Sequence, residues 1–225
     1  MSKITDYAFL FDSMFGNKST SAIDSFKLSD LNSGSVQAKL KAAGVDTNSK
    51  QYKAVIKEMM NAGGNSAMYT NIMGIKNSMR SYDKDGDYID PTTGMAGLLL
   101  TDENESSRKR IISIPESSKE EMFEQSKKEY LKENGVANGD TTKRSDTYTN
   151  LYRKMKKNDR LAAGYTMEQY ERAYRQAFYN AAKAADSNWD LGKPIKSGAL
   201  DNITREDIEN NMKISGKTSS VDVKI

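Results

Sequence analysis

The sequence contains neither cysteine nor histidine. Without cysteine there are no disulfides, no thiolate metal sites and no thiol nucleophile. Without histidine the chain lacks the most used general base, the most used transition-metal ligand and the usual near-neutral proton switch. A Ser-His-Asp triad or a conventional zinc hydrolase site therefore cannot be built from it. Long apolar runs are also missing. No window approaches 18 apolar residues, so no membrane span is expected. The start, Met1-Ser2-Lys3-Ile4, has none of the three parts of a secretory signal. The chain is expected to remain cytoplasmic or to leave by a signal-less route. Charge of one sign is scarce too: the formal net charge is +3, too little to argue for a nucleic-acid partner by itself.

What is present is polar. Apolar residues make up 36% and charged residues 29% of the 225 positions, with the excess polarity in Ser, Thr, Asn and Lys. A chain of this length can bury a real core in one or two compact domains. A folded core with solvated loops is the expectation.

Hydrophobic periodicity reads as helix over most of the chain. Ile4, Tyr7, Ala8, Phe11, Met14 and Phe15 predict an amphipathic helix over 4–15, stopped at Gly16. It either docks on its own core or binds a partner. Residues 16–35 read as a Ser/Thr/Asn/Gly linker. A short helix over 35–43 ends at Gly44. The next, 49–61, is capped by Asn48, with Tyr52, Val55, Ile56, Met59 and Met60 on one face. Met68, Ile72, Ile75 and Met79 place another helix over 66–80. Five methionines lie between 59 and 79; at this spacing they read as core, with an adaptable binding surface as the other reading. Gly94–Leu100 and Arg110–Pro115 can form a small two-stranded sheet, with an acidic turn at 102–107 between them. Capping boxes at Ser117/Glu120 or Ser118/Glu121 start a helix that runs to about Glu133, with Met122, Phe123, Tyr130 and Leu131 buried. Tyr148, Leu151, Tyr152 and Met155 mark the next. Thr166 and Gln169 start a long helix over 167–185, whose stripe of Tyr170, Ala173, Tyr174, Ala177, Phe178, Ala181 and Ala185 suits close packing. Trp189 closes that core, Thr204 with Asp207 starts a last short helix, and the tail from Lys213 is an edge strand or frayed. The fold class expected is mainly α, a helical-bundle-like architecture with at most a small β element near 95–115. Residues 1–100 form a helical region ending in an acidic loop; 101–225 form a second.

That acidic loop, Asp83-Lys84-Asp85-Gly86-Asp87-Tyr88-Ile89-Asp90, carries four carboxylates in eight residues. Two carboxylates ~5 Å apart repel by roughly 3 kcal/mol at an effective dielectric near 20. A bound hard cation reverses that penalty, and calcium takes oxygen ligands in this manner. The segment resembles an EF-hand loop, with Asp83, Asp85 and Asp87 on its ligand positions 1, 3 and 5. It then departs: Tyr88 stands where the sixth-position glycine belongs, and Gly94 at position 12. With one residue deleted after Asp87, Tyr88 becomes the carbonyl donor and Asp90 the ninth-position ligand, yet Thr93 then replaces the closing glutamate. The resemblance implies a calcium-type loop and not a paired sensor, with affinity at the weak end, around 10⁻⁴ to 10⁻³ M. The bland alternative is an exposed turn whose Asp side chains bond to local backbone. Asp186, Asn188 and Asp190 repeat the spacing, and there a helix-ending turn is favoured.

Lys143, Arg144, Arg153, Lys154, Lys156, Lys157 and Arg160, interleaved with Tyr148 and Tyr152, form a basic cluster. Such a cluster can track a phosphate backbone, but a solvated helix face neutralised by Glu120, Glu121, Glu124 and Glu129 explains it as well. Paired carboxylates can hydrolyse glycosides, yet the sequence singles out no pair. Gly94-Met95-Ala96-Gly97 lacks the Lys-Ser/Thr of a phosphate loop.

Three strings carry a wider resemblance: Ile111-Ile112-Ser113-Ile114-Pro115-Glu116-Ser117-Ser118, Asn138 to Arg144, and Gln169 to Phe178. Together they resemble a family of uncharacterised proteins from low-GC Gram-positive bacteria, known as a domain of unknown function. The resemblance implies a shared fold over roughly 80–207 and a bacterial origin, and brings no activity. The sequence therefore points to a non-enzymatic interaction or structural protein with one calcium-organised loop. Its expected partner is a protein, another copy of the chain included. A nucleic-acid-binding accessory protein using the helix at 143–160 is the alternative, and a carbohydrate-active enzyme the third.

Overall fold

The computed structural model describes residues 25–63, 69–102, 104–136 and 142–212. The expected helix over 4–15, Met68, the loop at 138–141 and the tail from Lys213 lie outside them. The described residues are mainly α-helical, with eight α-helices and two small antiparallel two-stranded sheets. The chain divides into two compact units, residues 1–99 and 100–225.

In the first unit, β1 (Ser25–Lys27) pairs with β2 (Tyr69–Asn71), Phe26 opposite Thr70. Both of those residues are buried, which is why a stretch expected to be linker becomes strand at its end. The same pairing corrects the helix expected over 66–80. Tyr and Thr favour strands, and the Asn71 carboxamide accepts from the Gly74 amide at 2.7 Å, so the helix starts only after it. The helices are α1 (Gly34–Ala42), α2 (Lys50–Gly63) and α3 (Ile72–Met79). Ser49, not Asn48, caps α2: its hydroxyl accepts from the Tyr52 amide at 3.1 Å. Tyr52, Val55, Ile56 and Met59 join Leu40 and Ile75 in the core, whereas Met60 stays exposed. The core stripe of α2 is thus one residue narrower than its apolar pattern.

After α3 comes the acidic loop, then a hairpin of β3 (Ile89–Asp90) and β4 (Met95–Ala96). The sheet expected between 94–100 and 110–115 is not made. Met95 and Ala96 take Asp90 and Ile89 as partners instead, because a four-residue turn brings them together at little entropic cost.

In the second unit, α4 (Glu105–Arg108) precedes an irregular segment, followed by α5 (Glu116–Lys132), α6 (Thr142–Lys154), α7 (Arg160–Ala185) and α8 (Arg205–Asn211). α5, α6 and α7 enclose Met122, Phe123, Tyr130, Leu151, Met167, Tyr174 and Phe178, and Trp189 closes the core. Aromatic rings meet edge-on or tilted there, Phe123 with Tyr174 at 5.4 Å and Tyr130 with Phe178 at 5.6 Å. Trp189 donates its indole N–H to the Lys193 carbonyl at 2.8 Å.

Three local expectations fail here, two of them because a buried side chain found a partner far away in sequence. Neither serine box starts α5. Pro115 precedes its first turn, and Ser118 is buried, accepting from Lys154 Nζ at 3.4 Å. Leu131 is exposed rather than core. Thr166 is no cap, since α7 begins six residues earlier. Its hydroxyl donates to the Ala162 carbonyl at 2.8 Å and accepts the Ile112 amide at 3.1 Å. That bond satisfies backbone that has no strand partner. Thr166→Val keeps the branched shape and removes the acceptor. It should cost about 1–2 kcal/mol in a urea titration followed by Trp189 fluorescence.

Candidate metal centre

The acidic loop is held by its own backbone. The Asp83 carboxylate, through Oδ1, accepts the amides of Asp85 and Asp87, both at 2.9 Å. The Asp83 amide donates to the Asp87 carbonyl at 2.9 Å and the Gly86 amide to the Asp83 carbonyl at 3.0 Å. Gly86 turns the chain at φ +87°, where a Cβ would sit 2.9 Å from the Lys50 carbonyl oxygen. The loop therefore lies against the start of α2. A second tie is the Gln51 side-chain amide, which donates to the Tyr82 carbonyl at 2.8 Å. Tyr82 and Tyr88 pair across the loop's neck and their rings meet edge-on at 5.8 Å.

This geometry brings three of the five sequence-picked residues together. Asp83, Asp85 and Asp87 each offer one carboxylate oxygen, and the three oxygens lie within 4.8 Å of one another. Two oxygens on one calcium, each ~2.4 Å from it, are at most about 4.8 Å apart, so each pair of these oxygens lies within the span that one ion bridges. A carboxylate has about four lone-pair sites, so the backbone bonds of Asp83 are compatible with a cation. Asp90 is not in the group. Its carboxylate accepts the Thr92 amide at 2.8 Å and the Thr93 hydroxyl at 3.2 Å, shaping the hairpin turn. Tyr88 occupies the bridge position beside Tyr82. Burial pushes its phenol pKa up, and the charges of Glu58 and Asp90 push the same way. The other alternate-spaced trio is a turn: Asp186 accepts the Asn188 amide at 2.9 Å, and Asp190 pairs with Lys183 and Lys193.

The basic cluster is spread over several jobs. Arg144 bonds Glu129 at 2.8 Å and lies 3.1 Å from Glu171. Lys154 reaches the Ser117 and Ser118 hydroxyls, and Arg160 the Tyr152 carbonyl. Arg153 and Lys156 are exposed. The side chain of Lys143 lies outside the described residues.

Sequence reasoning missed a buried charge network between α5, α6 and α7. Glu129 and Glu171 face Arg144 and Arg175, and the Tyr148 hydroxyl donates to Glu171 at 3.2 Å. Burial works against the Arg144 charge, but Glu171 and Glu129 outweigh it and leave its pKa raised. Burial raises the Tyr148 phenol strongly, as does Glu171. A signal was available: Glu171 falls on the Met167, Tyr174, Phe178, Ala182 stripe of α7, a buried position.

A mainly helical protein in two units, with an aspartate-rich loop in the first, is the class that fold and site define. The chain belongs to the family described as Domain of unknown function (DUF3879), whose model matches residues 45–225. That match takes in the acidic loop and everything after it. No curated protein and no solved structure matches the chain.

Proposed function

We propose that this chain is a non-enzymatic interaction or structural protein whose first unit is organised by one calcium ion at Asp83, Asp85 and Asp87. The observation that carries the reading is the convergence of three carboxylate oxygens within 4.8 Å on a loop shaped by its own backbone bonds. Tyr88 would add a backbone carbonyl and Asp90 would act from the outer side of the shell. No glutamate closes the site, so the ion serves to brace the loop between α3 and the hairpin rather than to sense cytosolic calcium. The absence of histidine and cysteine supports a hard cation over a transition metal. The partner in this reading is a protein, and the origin is bacterial, as the strings at 111–118, 138–144 and 169–178 imply.

A calcium titration of thermal stability tests the proposal. With a dissociation constant near 10⁻³ M, ~10 mM calcium stabilises the folded unit by about 1.4 kcal/mol. That corresponds to several degrees in melting temperature, read from tyrosine near-ultraviolet circular dichroism. Magnesium at equal ionic strength should do less, because it demands a tighter octahedral shell. Asp85→Asn with Asp87→Asn should abolish the shift. An unchanged melting curve in the parent, or an equal shift in the double variant, would refute the calcium site.

A further inference from the structure

The second unit has one strongly basic pole. Residues 105–110 and 153–160 hold eight lysines and arginines against two acids, Glu105 and Asp159. Their net charge is +6, so the rest of the chain, whose total is +3, carries −3. The fold brings the two stretches together. The Arg110 guanidinium donates to the Asp159 carboxylate at 2.8 Å, and Arg160 Nε donates to the Tyr152 carbonyl at 3.1 Å. Burial raises the Tyr152 phenol pKa, and the Arg108 charge is near enough to pull it the other way. Lys109, Arg110, Arg153, Lys154 and Lys156 are exposed. Lys109, Arg153 and Lys156 enter no ion pair among the described residues. Nor does helix stability account for the cluster. Arg153 and Lys154 suit the C-terminal end of α6. Lys156, Lys157 and Arg160 instead crowd the N-terminal end of α7, where the helix dipole favours anions and the first turn holds no acid.

We propose that this pole binds the phosphate backbone of double-stranded nucleic acid without reading its sequence. Composition selects that occupant. A nucleic-acid interface is polar and strongly positive, and its phosphate contacts come from Arg, Lys, Ser and Asn. Ser106, Ser107 and Asn158 stand exposed among the cations. A protein partner calls for an apolar or aromatic centre, and stable membrane binding for an apolar anchor beside the charge. Met155 is the sole apolar residue of the two stretches, and it packs half-buried against the core. A single strand calls for aromatic rings free to stack. Tyr152, the ring that precedes Arg153, is turned inward: its phenol oxygen would stand 2.6 Å from a Cβ added at Gly164 of α7. What the pole offers is charge held on helix ends, which suits a duplex backbone. This inference goes beyond the calcium reading and uses none of its residues.

Fluorescence anisotropy of labelled ~20-bp duplexes, one of DNA and one of RNA, tests the pole on the full chain. At ~50 mM NaCl at least one duplex should bind with a dissociation constant of about 10⁻⁶ M, and the tighter one names the source. With about four phosphates engaged, affinity should fall about a hundredfold between ~50 and ~200 mM NaCl, a log–log slope near −3.6. Arg153→Ala with Lys156→Ala should weaken binding at least tenfold and bring the slope about two closer to zero. Both side chains are exposed, so this variant should keep its urea midpoint read from Trp189. Lys39→Ala with Lys41→Ala removes the same charge from exposed positions of α1 and should change affinity less than about twofold. Equal losses in the two double variants would overturn the proposal, since overall charge and not the pole would then govern binding. A dissociation constant above about 10⁻⁴ M for both duplexes at ~50 mM NaCl would overturn it as well. So would tighter binding, at the same salt, to polyglutamate or to phosphatidylglycerol vesicles, which would assign the pole to an acidic protein or a membrane. None of these results depends on calcium, so failure here is separate from failure of the metal centre.

Discussion

Phe178→Ala should lower the stability of the second unit by about 3–5 kcal/mol, the usual cost of emptying a buried aromatic site. Phe178 is fully buried on α7 and touches two other rings, Phe123 at 5.7 Å and Tyr130 at 5.6 Å. Both rings sit on α5, so the lost contacts are those that join the two longest helices of the unit. Relaxation can refill little of the space, because Tyr174 on the same face is committed: its hydroxyl donates to Glu209 at 2.6 Å. The sole tryptophan, Trp189, lies in the same core. Its fluorescence reports this unit in a urea titration, and with a slope near 2 kcal/mol/M the midpoint should fall by roughly 2 M. A fall under 0.5 M would mean that the aromatic cluster is not the centre of the core.

Gly86→Ala should be the most damaging single change in the first unit that removes no side-chain contact. Two costs add. A φ of +87° is unfavourable for alanine by about 1–2 kcal/mol, and the new Cβ would press to 2.9 Å on the Lys50 carbonyl oxygen, which belongs to the first residue of a helix and cannot swing aside. The sum is about 2–4 kcal/mol. Gly44→Ala separates the terms, since Gly44 has φ +78° in the same unit and an added Cβ there meets nothing within 4 Å. It should cost about 1 kcal/mol and leave the calcium response intact. Gly86→Ala should cost at least twice as much and lose that response, because the turn that gathers the three aspartates opens. Equal melting temperatures for the two variants would show that the Lys50 contact contributes nothing.

The acidic loop was legible because its chemistry is local. Asp83, Asp85 and Asp87 stand two residues apart, and any turn at Gly86 crowds them. Asp90 was not legible in the same way. Whether its carboxylate faces the trio or the next turn depends on β3 meeting β4, and that pairing places Thr92 and Thr93 within its reach. The failed capping boxes teach the same lesson from the other side. Ser118 and Thr166 have the residue type of a cap, yet each is buried against a side chain or backbone amide more than 30 positions away.

The sequence by itself determined that this protein is mainly helical, that thiol and imidazole chemistry are closed to it, and that three carboxylates crowd one turn. A 3.6-residue period and a composition are properties of neighbouring residues, so they can be read without a fold. Only the tertiary structure decided which short segments became strands, that Glu171 and Arg144 would be buried against each other, and that Tyr69 and Met73 would face outward. Each of those outcomes depends on groups far apart in the chain, whose meeting no local pattern encodes.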